Sequence, residues 1–214
     1  GYGPPPFGAP GWGPQGYGPQ GYHHPPKKSS SGVVIAIVAV AAVVLLGLFV
    51  AAGAVAYFVA KESADLSENE ATVASDGSSE IKVPFGWAKR TDLNDEAVIQ
   101  VGNAVAEEYL VVISESKSDF SEMTLEKYAE LCLDEMKRTA KNVTVSGKES
   151  IELGGMKALR YEVTGTVDFV NIGYVVTYVD GSKSFHQVIA WTKKSRLSSK
   201  KKKFEDVVDT FREK

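Results

Sequence analysis

The chain has 214 residues, 43% of them hydrophobic, 24% charged and 10% aromatic, with a formal net charge of −3. The charge is unevenly spread: residues 1–31 hold two lysines and no acid, residues 32–60 hold no charge, and residues 61–214 hold everything else. That division points away from a wholly soluble protein, a multi-pass channel and a disulfide-stapled scaffold, and towards one globular domain on a membrane anchor.

In the first segment Tyr2, Phe7, Trp12, Tyr17 and Tyr22 recur every five residues among Gly, Pro and Gln. Proline removes backbone donors and glycine raises the entropy cost of ordering. Residues 1–31 are therefore expected to form a disordered, low-complexity tail. Two readings of the pentads stand: a spacer, or weak aromatic adhesion points for self-association or a Pro-binding partner. His23 and His24 alone make a poor metal site.

Gly32 to Ala60 is rich in Val, Ala, Leu and Ile. As a helix it reaches about 43 Å, enough to cross a hydrocarbon core of about 30 Å with tilt. Ala52-Gly53-Ala54 resembles a signal-cleavage site, but the run is much longer than a signal-peptide core. Lys27 and Lys28 precede it, whereas Glu62, Asp65, Glu68 and Glu70 follow. The positive-inside rule then places the amino end in the cytoplasm and residues 61–214 outside.

Residues 61–79 read as an acidic, solvated linker. From Glu80 the pattern changes. Ile81, Val83, Phe85 and Trp87 alternate as on an edge strand bent by Pro84 and Gly86. Residues 97–101 and 109–114 are further strand candidates. Over residues 124–140 the period shifts: Leu125, Tyr128, Ala129, Cys132 and Met136 mark the inner face of an amphipathic helix that Thr124 can cap. Four strands are expected next, over 143–153, 156–167, 169–179 and 183–192. Gly154-Gly155 and Asp180-Gly181 supply hairpin turns. A final helix is predicted from Ser199 to Arg212, with Phe204, Val207, Val208 and Phe211 on its apolar stripe. Strands, helix, a meander of strands and a helix make an α+β domain, an antiparallel sheet with two packed helices, over residues 80–214.

This order resembles the PsbP-like fold, shared by the extrinsic subunit P of photosystem II and the bacterial DcrB-like envelope proteins. The residues that carry the resemblance are Ile81-Lys-Val-Pro-Phe-Gly-Trp87, the helix after Thr124, the hairpins of 143–192, and Trp191-Thr192 with Phe204-Glu-Asp-Val-Val-Asp-Thr-Phe211. It covers residues 80–214 only. It implies a mostly non-catalytic group of assembly factors, adaptors and envelope proteins, and it brings no site residue, metal or cofactor with it.

Read for chemistry, the outer segment offers one histidine, His186, and one cysteine, Cys132. Cys132 falls on the helix stripe and reads as a small buried hydrophobe. His186 shares a strand face with Val188 and Ala190, while Phe185, Gln187, Ile189 and Trp191 share the other. A serine hydrolase would have to use His186 as its base, yet no G-x-S-x-G elbow is present. The pair Glu107-Glu108 reads as exposed turn residues. The unusual charge feature is Lys193, Lys194, Arg196, Lys200, Lys201, Lys202 and Lys203. It reads as a solvated loop and first helical turn, or as a candidate site for lipid headgroups, an anionic envelope polymer or an acidic protein partner. With the domain outside the cytoplasm, nucleic acid is not expected. The leading expectation is a non-catalytic, single-pass, membrane-anchored adaptor of the bacterial envelope. The alternatives are a structural protein that self-associates through its tail, and a hydrolase using His186.

Overall fold

The computed structural model describes residues 71–214. The predicted tail, membrane span and first part of the linker lie outside the described residues. Among the described residues no helix is long and apolar enough to cross a membrane.

Ten strands and two α-helices follow in order: β1 (Ala71–Val73), β2 (Ser79–Lys82), β3 (Ala88–Lys89), β4 (Ile99–Asn103), β5 (Glu108–Ser116), α1 (Leu125–Thr139), β6 (Lys141–Leu153), β7 (Met156–Val167), β8 (Val170–Asp180), β9 (Ser184–Lys193), α2 (Lys194–Val208) and β10 (Arg212–Glu213). Seven strands form one antiparallel sheet in the order β3-β4-β5-β9-β8-β7-β6, and β1-β2-β10 form a second. The fold class is α+β, as expected.

The large sheet is covered on both faces, which is why its central strands β8 and β9 are almost wholly buried. Alternation sorts their side chains. Phe185, Ile189 and Trp191 face α1 and meet Tyr128, Cys132 and Met136. Val188 and Ala190 face the other way, towards Phe204, Val207, Val208 and Phe211 of the carboxyl-terminal segment and towards Ile81, Val83 and Trp87. Tyr128 stacks on Phe185 with centroids 4.6 Å apart. Thr124 caps α1 as predicted, its hydroxyl accepting from the Lys127 amide.

Three expectations need correction. The linker predicted over 61–79 is folded from Ala71 onward: β1 pairs with β2, and Thr72, Ala74 and Ser79 are buried. The acids before residue 71 made this short polar hairpin read as stalk, yet Asp76 ties its turn by accepting from the Ser78 amide at 3.0 Å. Phe85 does not share the buried face of Ile81, Val83 and Trp87. A turn closed by the Trp87 amide donating to Pro84 O, with Gly86 at φ +84°, throws it outward.

The final helix begins at Lys194, five residues earlier than predicted, and ends at Val208. No side chain caps its start. Leu197, buried against Gly173, fixes it instead: a Cβ on Gly173 would lie 2.8 Å from Leu197 Cβ. The Asp180-Gly181 hairpin is present as expected, with the loop Gly181–Lys183. Glycine is required there for close approach, because a Cβ would meet Glu213 Oε1 at 2.5 Å and His186 Nε2 at 2.7 Å.

Candidate functional site

The basic run lies on the end of β9 and along α2, where most of it is paired within the domain. Lys193 Nζ and Arg196 Nη1 stand 2.7 and 3.1 Å from the two carboxylate oxygens of Glu107. Lys200 and Lys203 close on Glu108 at 2.8 and 2.5 Å. Lys201 reaches Glu162 at 3.2 Å, and Lys202 pairs with Asp206 one turn on. Lys194 is the member of the run with no ion-pair partner among the described residues. The predicted loop and first turn is thus a helix flank, and its cations are largely spent on internal acids.

Glu108 organises this flank, and the reading of Glu107-Glu108 as exposed turn residues is corrected: Glu108 is 0% exposed. Trp87 Nε1 donates to Glu108 Oε2 at 3.1 Å, and the Lys203 ammonium lies 5.4 Å from the Trp87 ring centroid. Burial alone would raise the Glu108 carboxyl, but Lys200, Lys203 and Trp87 together hold it below the usual range. The group therefore stays ionised and ties α2 to the β4–β5 turn.

A second cluster surrounds His186, on the sheet face predicted for it. Ser114 sits directly across from His186 in the β5–β9 pairing. Ser114 Oγ lies 2.8 Å from Nδ1, and Glu213 Oε1 lies 3.2 Å from Nε2. An ionised carboxylate only accepts, so Nε2 carries the proton toward Glu213 and Nδ1 accepts from the Ser114 hydroxyl. Burial pushes the imidazole below its ordinary value, and Glu213 with Asp76 only partly restores it. Burial would raise Glu213, but the Ser182 amide at 2.6 Å, His186 and the Lys183 amide lower its pKa to about 2.

The order Ser114–His186–Glu213 is that of a hydrolase triad, with the partners of the two ring nitrogens exchanged. The setting is not that of a triad. His186 is 0% exposed, and Ser114 lies on a regular paired strand rather than a strained elbow. The cluster works as a clasp that fastens β10 to the β8–β9 turn. Cys132 is buried on α1, and burial pushes its thiol far up, so it is neither a thiolate nor in reach of one.

At the end of the sheet opposite the basic run, a groove of about 630 Å³ opens between the segment entering α1 and strands β6–β9. Phe120, Met123 and Leu125 form one wall and Ile151 and Leu159 another. At its rim Lys117 and Asp180 are paired at 2.5 Å. Neither Ser114 nor His186 lines it. No local pattern in the sequence signals the groove, because its walls come from three separated segments.

No family model matches the sequence, and no curated protein matches it. Solved structures do resemble it. Cyanobacterial PsbP (CyanoP) from Synechocystis sp. aligns with a TM-score of 0.54 and 13% identity, over 71% of this chain and 95% of that one. The Ran-binding protein Mog1p of Saccharomyces cerevisiae aligns with 0.50 and 9% identity, over 68% and 95%. LpqN, involved in cell envelope biogenesis of Mycobacterium tuberculosis, gives 0.49 and 11% identity, over 74% and 96%. At these identities the likeness is one of fold. The body formed by residues 71–214 has the PsbP-like fold.

Proposed function

We propose that this protein is a non-catalytic binding or adaptor module of the bacterial envelope. Residues 32–60 anchor it in the membrane and the PsbP-like body stands on the extracytoplasmic side. The observation that carries the non-catalytic reading is the placement of His186 and Cys132. Both are buried, one in a clasp and one in the α1 core, so the side chains best suited to nucleophilic or acid–base work are committed to packing. A structural neighbour with the same fold, Mog1p, is a Ran-binding protein, which supports a protein-binding use of this scaffold. The groove beside Phe120 and Met123, of mixed polar and apolar lining, supplies a concave surface for such a partner.

Protease treatment of whole cells tests the topology. The body is expected to be clipped from outside while the Pro/Gly tail is spared. A spared body with a clipped tail overturns the proposed orientation. For binding, a photo-crosslinking residue at Met123 is expected to give a discrete adduct in intact cells that the same residue at Lys148 does not. Identical labelling from both positions overturns the groove as the binding surface.

A further inference from the structure

The turns at one end of the body carry three exposed large apolar side chains. Phe85 is 76% exposed, Val105 86% and Phe169 96%. They lie on the β2–β3, β4–β5 and β7–β8 connections, and the structure links these turns. A Cβ on Gly86 would meet Asn103 at 3.3 Å, which places the Phe85 turn beside the one bearing Val105. Glu107 of that second turn pairs with Lys193 and Arg196. Lys193 and Lys194 in turn share a surface depression with Phe169.

The Phe169 turn bears a conformational cost. Val167 pairs with Val170, leaving a two-residue loop in which Asp168 and Phe169 adopt φ +45° and +67°. Glycine and asparagine suit such positions, and a bulky residue there is strained. A strained, almost fully exposed aromatic contributes nothing to the core, and such strain collects at functional surfaces.

The chain also enters the body close to this end. Ala71 pairs with Lys82, three residues before Phe85. Ten residues, 61–70, separate it from the uncharged run, a reach of at most about 35 Å. Lys194 and Lys141 at this end are exposed and have no ion-pair partner among the described residues, against the acids Glu107 and Asp168.

The geometry points to a lipid-docking end. Phe85, Val105 and Phe169 enter the interfacial layer of an anionic bilayer while Lys194 and Lys141 meet its headgroups. Apolar side chains borne singly on separate turns suit a soft surface that each tip enters independently. Interfacial binding combines buried apolar area with attraction to anionic lipid. This inference rests on the anchoring of residues 32–60 proposed above, so the test reads the two separately.

The full chain is reconstituted into vesicles of 70% phosphatidylcholine and 30% phosphatidylglycerol. A fluorophore is placed at Phe85→Cys, at Phe169→Cys, or at Lys183→Cys on the opposite end, with Cys132 buried and unreactive. Flotation reports anchoring, and quenching by nitroxide lipids reports docking. All variants are expected to float, with labels at 85 and 169 quenched at least threefold more than the label at 183. The difference is expected to fall by half or more with Lys194→Glu. Floating protein with equal quenching at all three positions overturns docking and leaves the anchor. Protein that does not float overturns both. Protection at 85 and 169 in native envelope membranes but not in pure lipid overturns lipid docking in favour of a protein partner.

Discussion

Replacing Glu213 by glutamine removes one charge from the clasp while keeping its shape. The carboxylate accepts from the Ser182 amide at 2.6 Å and faces His186 Nε2 at 3.2 Å. Lowering its pKa from 4.5 to about 2 corresponds to about 3 kcal/mol at 1.36 kcal/mol per pH unit. The side chain is 14% exposed, and screening by nearby water reduces that to about 2 kcal/mol. Because the folded value is depressed, this stability is present above about pH 4.5 and is lost as the pH falls towards 2. Burial also depresses His186, which removes stability as the pH falls below 6.5. The diagnostic window is therefore the more acidic one. Urea unfolding followed by tryptophan fluorescence should show E213Q less stable by about 2 kcal/mol at pH 7. The two proteins should approach each other near pH 2.5. An equal gap at pH 7 and pH 2.5, or no gap at pH 7, would refute the clasp.

Three further outcomes are expected. Glu108→Gln leaves Lys200 and Lys203 without their shared carboxylate and should cost about 2 kcal/mol, less than a fully buried pair because both lysines reach solvent. Equilibrium unfolding measures the loss, and a neutral result would show that α2 is held by packing alone. Gly173→Ala forces a methyl against Leu197 and should destabilise by about 1–3 kcal/mol, read as a lower Tm; an unchanged Tm would show that the helix start yields freely. Ser114→Ala orphans His186 Nδ1 and should cost about 1–2 kcal/mol. It should leave p-nitrophenyl ester turnover at the level of the uncatalysed background, as in the parent. Turnover by the parent that this variant abolishes would instead make Ser114–His186–Glu213 a working triad.

The sequence was most legible where period and chemistry agreed. On β9 strict alternation placed His186 beside Val188 and Ala190, and the structure keeps that face. On α1 the Thr124 cap and the stripe from Leu125 to Met136 fixed both the start and the inner face. The start of α2 was not legible, because Lys193, Lys194 and Arg196 look like loop charges until Leu197 is seen packed against Gly173. The site residues were hidden by distance along the chain. Lys203 meets Glu108 across 95 positions and His186 meets Ser114 across 72. No local pattern distinguishes a buried Glu108 from its half-buried neighbour Glu107. The exposed turn at Phe169 is not legible either, since in sequence Phe169 reads as one more apolar strand residue.

The seam of the large sheet runs between β5 and β9, where Tyr109 faces Trp191. During synthesis the β6–β9 meander can assemble from neighbours as it leaves the ribosome, whereas β5 waits through α1 and three more strands for its partner. Strand β2 waits longer still, for β10. Non-local pairings of this kind are slow to form, so a nascent chain carries β5 paired to β4 on one edge and open on the other until β9 emerges. Until then that open edge is a template for mispairing with another chain.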